Sequence, residues 1–101
     1  MTDANVTSRT ACHQRLATLF HAGELVWIES EEYSENDLFW RVTLLCRNAS
    51  GQWERRRYRY DTLSAALFFM GATPVSDEEA ARIRRAARQL RATTALEERT
   101  V

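Results

Sequence analysis

Residues 53–60, Trp53-Glu54-Arg55-Arg56-Arg57-Tyr58-Arg59-Tyr60, bring four arginines and three aromatic rings into one short run. A guanidinium is a planar fork of donors that grips a carboxylate or phosphate at two points, and an aromatic ring can stack on a base or a cation. In a strand, alternate residues share a face. Trp53, Arg55, Arg57 and Arg59 then point one way, Tyr58 and Tyr60 the other. The chemistry on offer is anion recognition, of an acidic protein surface or of nucleic-acid phosphates.

Other chemistry finds little support. His13 and His21 on one helix would lie about 12 Å apart along its axis, too far for one metal ion. Cys12-His13 with His21 or Cys46 matches no recognised ligand spacing. The only glycines, Gly23, Gly51 and Gly71, form neither a phosphate loop nor a nucleophile elbow. Glu31, Glu32 and Asp37 could supply an acid–base pair, but a charged loop accounts for them. No catalytic residue, cofactor site or metal site is therefore expected, and the reading is non-enzymatic.

The chain has 101 residues, 45% hydrophobic and 28% charged, which suits one folded domain, 1–101, with flexible tails over 1–7 and 93–101. No apolar run reaches the ~20 residues of a membrane span. The first residues lack a basic and an apolar region, so a cytoplasmic location is expected, with Cys12 and Cys46 reduced. All fourteen basic residues are arginine, against fourteen acids, so the formal net charge is zero. The charges are segregated: residues 24–37 hold Glu24, Glu29, Glu31, Glu32, Glu35 and Asp37 with no base, whereas Glu54 is the one acid in 39–60.

Several elements must position these side chains. Cys12, Leu16, Leu19 and Phe20 recur at helical spacing from about Ser8 to His21, with Gly23 as a C-cap. Leu25-Val26-Trp27-Ile28 predicts a strand over 24–30, and Glu31 to Asp37 a loop. Strands at 38–47 and 52–60 flank the turn Asn48-Ala49-Ser50-Gly51. Asp61 can cap a short helix over 62–70, closed by Gly71; it is apolar nearly all round, so Phe68 and Phe69 are candidate oligomer contacts. Ser76 and Glu79 form a capping box for a last helix with the stripe Ala80, Ile83, Ala87 and Leu90.

A three-residue loop with Gly51 in the left-handed position pairs Asn48 with Gln52, so opposed residue numbers sum to 100. Trp40, Val42, Leu44 and Cys46 then share a face with Tyr58 and Tyr60. Slipping by one would set Arg55, Arg57 and Arg59 among apolar residues, at a cost of several kcal/mol each unless paired. In the first strand Val26 and Ile28 join the apolar face, while Trp27, Glu29 and Glu31 join the arginines and could neutralise them.

The expected fold is α+β, a three-stranded antiparallel sheet in the order α-β-β-β-α-α with helices packed on one face. The expected function is a small interaction or regulatory module that binds a protein partner, as a homodimer. The alternative is a single-stranded nucleic-acid (RNA) binding module. Either would use a face built of Trp27, Arg41, Trp53, Arg55, Arg57 and Arg59.

Overall fold

The computed structural model describes residues 2–21 and 23–90; the expected tail at 93–101 lies outside them. Helix α1 (Thr2–Ala17) leads into strands β1 (Val26–Ser34), β2 (Phe39–Arg47), β3 (Trp53–Asp61) and β4 (Ala66–Pro74). Helix α2 (Asp77–Ala86) and a short strand β5 (Arg88–Leu90) complete the described chain. The sheet has five strands in the order β4-β3-β2-β1-β5, and every neighbouring pair is antiparallel.

The central hairpin has the expected register. Phe39 pairs with Asp61 and Arg47 with Trp53, so opposed numbers sum to 100 throughout. Asn48 drives the turn: its N–H donates to the Gln52 carbonyl (2.8 Å), and its side-chain oxygen accepts from the N–H groups of Ser50 and Gln52. Gly51 sits at φ 83°, where a glycine is free of the usual Cβ penalty.

The sheet is larger than the three strands expected, because 62–70 is not a helix. Asp61 caps a tight turn instead, its carboxylate accepting from the Leu63 N–H (3.0 Å), and Ala65 turns the chain at φ 57°. β4 then runs back antiparallel along β3. Its residues look apolar all round because a strand shows them to both sides of the sheet. Phe68 lies opposite Arg59 on one face, while Phe69 lies opposite Tyr58 on the other and meets its ring edge-on at 5.6 Å.

The helices also do not share a face. Cys12 and Leu16 of α1 pack on Val26, Ile28, Trp40, Val42, Leu44, Cys46, Tyr58 and Tyr60. On the opposite face Val75, at the approach to α2, and Ala80 within it cover Leu45 and Trp53, with Trp27 and Ile83 partly buried beside them. Each face of the sheet thus carries one helix, and Leu45, an apolar residue on the arginine side, is fully buried.

Element boundaries differ from expectation. α1 spans Thr2–Ala17, so it takes up residues 2–7 expected as a tail and ends four residues before His21, and β1 continues to Ser34 through the expected loop. α2 begins as expected, the Ser76 hydroxyl accepting from the Glu79 N–H (3.2 Å). It ends at Ala86, and Leu90 leaves the expected helical stripe to pair with Val26 and fill the α1-side core.

Candidate functional site

The six residues expected to form one binding face do not stay together. At one end of the α2 side, Trp53 is buried, with only 5% of its surface exposed. Its ring meets Trp27 edge-on at 5.8 Å, and the guanidiniums of Arg47 and Arg84 lie over it at 4.4 and 4.8 Å from the centroid. Arg84 reaches there from α2, so a helix stands where a base would have to stack.

Arg55 is neutralised at the same end. Its Nε and Nη2 donate to both oxygens of Glu29 (2.6 and 2.9 Å), and Nη2 also donates to Glu79 (3.2 Å). The bond to Glu29, outweighing the cost of burial, raises the Arg55 pKa above its usual value. Glu29 was expected in this role. Glu79 was not, because nothing in the sequence shows the first turn of α2 folding over the sheet.

Glu31 goes elsewhere. The register between β1 and β2 shifts between Ile28 and Ser30, so Glu29 is an extra residue in a bulge and Glu31 falls opposite Val42, on the α1 side. There Arg9 donates from Nη2 to Oε2 (2.6 Å) and from Nε to Oε1 (3.1 Å), and His13 Nε2 lies 2.9 Å from that same Oε1. Burial alone would raise the Glu31 pKa, but the bonds from Arg9 and His13 outweigh it and hold the carboxylate below its ordinary range. The expectation that Glu31 neutralises the arginine face is therefore corrected. Arg56, on the same side, pairs with Glu54.

Arg41, Arg57 and Arg59 do come together, past the reach of α2. With Phe39, Thr43 and Met70 they line an open groove of about 390 Å³. The Arg59 and Arg41 guanidiniums lie over Phe39, at 4.1 and 5.3 Å from its centroid, which explains how Phe39 is buried on a charged face. Among the described residues Arg41 has as ion partner only Glu32, a long contact (3.8 Å) between two exposed side chains. Among the described residues, neither Arg57 nor Arg59 has a carboxylate within 4.0 Å.

β4 borders this groove and is an outer strand of the sheet. Its nine residues, Ala-Leu-Phe-Phe-Met-Gly-Ala-Thr-Pro, carry no charge. Phe68, Phe69 and Met70 are 49, 60 and 57% exposed. The Val75 N–H bonds the Trp53 carbonyl, which sets the alternation of inward and outward backbone groups along the strand. Gly71 and Thr73 point at β3, whereas Leu67, Phe69 and Ala72 turn their N–H and C=O groups outward.

A second bulge, where β4 passes Arg57 and Tyr58 of β3, leaves Met70 unpaired and brings Gly71 opposite Arg57. The Arg57 side chain crosses over Gly71, where an added Cβ would lie 3.0 Å from Nη2, and its Nη1 donates to the Thr73 hydroxyl (3.1 Å). Gly71 thus has a steric reason to lack a side chain, besides its φ of 143°.

Both cysteines are buried and free. Burial pushes the Cys12 thiol up to about 12 and Cys46 up to about 11, which leaves both inert as nucleophiles near neutral pH. Among the described residues no three His, Cys, Asp or Glu side chains gather as metal ligands would, and no helix is long and apolar enough to cross a membrane. No protein-family model, curated protein or solved structure matches this chain.

Proposed function

We propose that this protein is a non-enzymatic interaction module that takes up a strand of a protein partner along the outer edge of β4. The observation that carries this reading is a nine-residue, uncharged edge strand with Phe68, Phe69 and Met70 exposed. Edge strands in soluble proteins are usually blunted by charge, shortness or a covering element, since their unpaired backbone groups template further pairing. Added strands gain affinity from those main-chain bonds and specificity from alternate side chains. A homodimer, for which Phe68 and Phe69 were candidate contacts, would use this same edge.

Panning random twelve-residue peptides displayed on phage against the full chain tests the reading. Selected peptides should slow exchange of the Leu67, Phe69 and Ala72 amides, and Ala72→Pro, which removes one outward N–H, should abolish their binding. Protection mapping elsewhere, or peptides indifferent to Ala72→Pro, would sink it. Light scattering at high micromolar concentration tests the homodimer: a monomer mass removes it.

Single-stranded nucleic acid is the second reading, favoured by the lack, among the described residues, of close carboxylates at Arg57 and Arg59. It has lost its stacking platform, because Trp27 and Trp53 are engaged beneath Arg84. Its test is a salt-sensitive shift of labelled oligonucleotide that Arg57→Glu with Arg59→Glu abolishes. No shift by the wild-type chain at low salt removes it.

A further inference from the structure

We infer that the strand accepted by β4 is an extended acidic segment of a partner protein, with a carboxylate placed opposite Gly71. This rests on the strand-uptake reading above and names the occupant of that edge.

The argument starts from where the Arg57 charge sits. Arg57 belongs to β3, one strand in from the edge, and strands in a sheet lie about 4.8 Å apart. An ordinary neighbour on β4 would wall that guanidinium off from anything added outside. Gly71 does not, and the side chain lies across it, with Nη2 3.0 Å from the point where a Cβ would stand. The positive charge therefore overhangs the edge. Among the described residues its one hydrogen-bond partner is the exposed, neutral Thr73 hydroxyl (3.1 Å), so donors remain for a carboxylate.

The pairing pattern fixes which incoming side chain would meet it. Gly71 points its own backbone groups inward at Arg57, so a residue opposite it on an added strand forms a non-hydrogen-bonded pair, the closer kind. That residue's side chain stands on the Arg57 face. A Glu or Asp there reaches the guanidinium across the gap that glycine leaves. A further acid of the same parity would approach Phe68, beside which Arg59 lies on β3. Phe69 and Leu67, on the α1 side, would take apolar side chains of the opposite parity. The preferred segment is thus alternating, acidic on one face and apolar on the other.

A second copy of β4 fits less well. Ala66–Pro74 has no carboxylate to offer, and pairing about a two-fold axis near Gly71 would bring two Arg57 guanidiniums together. Phosphates of a nucleic acid could answer the charge but not the outward N–H groups of Leu67, Phe69 and Ala72 in register.

The peptides selected by panning, made with a fluorescent label, carry the test. They should alternate, with Asp or Glu recurring on one parity. Arg57→Gln should weaken them about tenfold, the scale of losing one charge-paired contact, while Arg85→Gln on α2 leaves them unchanged. Arg57→Glu should reject them and accept the same peptides with Lys at the acidic position, which a merely misfolded variant could not do. Peptides without an acid bias, or indifferent to Arg57, overturn the inference. If Ala72→Pro still excludes those peptides, strand uptake survives and only the acidic occupant fails. If it does not, both fail. A dimer mass with β4 amides protected would assign the edge to a second copy, and an oligonucleotide held through Arg57 with peptides refused would assign it to nucleic acid; either overturns the inference.

Discussion

Arg55 and Arg57 stand two residues apart on the same face of the same strand, and they live in different molecules as far as electrostatics is concerned. Arg55 is clasped by Glu29 from a bulge in β1 and by Glu79 from the first turn of α2. Arg57 lies over a glycine at the border of the sheet and touches a hydroxyl. The chemistry of an arginine run is thus decided by what the neighbouring strands and helices bring over it. Here α2 reaches as far as Arg55 and stops.

The contrast can be broken or sharpened by substitution, and the largest effect belongs to the covered end. Trp53→Ala should cost about 3–5 kcal/mol in denaturant unfolding, the usual loss for a large buried ring. Phe68→Ala and Met70→Ala, at the open end, should stay within about 0.5 kcal/mol. Equal losses at both ends would mean the open groove is covered in the folded chain.

Next in size is the pair itself. A double-mutant cycle on Arg55 and Glu29 should give a coupling of about 1.5–3 kcal/mol, as for a part-buried bond between charged groups. The cycle on Arg41 and Glu32 should fall near zero, since both side chains are exposed and 3.8 Å apart. Similar couplings would erase the distinction between clasped and free arginines.

Acid should separate the two faces. The pKa of Glu31 is lowered by folding, so its contribution is fully present above about pH 4.5, its ordinary value, and is lost as pH falls through the lower folded value. Glu31→Gln should therefore flatten the drop in stability below that pH. Arg57→Gln should leave the profile as it is.

The smallest effect lies at the glycine. Gly71→Ala should cost about 1 kcal/mol from its backbone angle alone, and more while Arg57 occupies the space. Making the change in an Arg57→Ala background should recover the excess. No recovery would mean the guanidinium does not rest there.

The hairpin was legible because its instructions are local. Asn48 and Gly51 set the turn, and the cost of burying three arginines settled the register. That Arg55, Arg57 and Arg59 share one side of β3 was legible for the same reason. What could not be read was anything made by distant segments. The bulge at Glu29, which sends Glu31 to Arg9 and His13, leaves no mark in composition. β4 was misread because five consecutive apolar residues fit a buried helix as well as a strand. The better clue was downstream, where Thr73-Pro74 suits the end of an edge strand and not a helix C-terminus. Asp61 does not cap a helix; its carboxylate closes a turn, and a capped turn and a capped helix begin alike.

The strand order carries a further consequence, for how the chain reaches this state. From β1 to β4 each strand pairs with the one before it, so every closure needs only a short turn and little loop entropy. The exception is β5, whose Leu90 must find Val26 across most of the chain. Folding can thus begin at the Asn48 turn and spread outward by neighbouring hairpins, as in proteins of low contact order, with the single long-range closure made after the sheet exists to receive it.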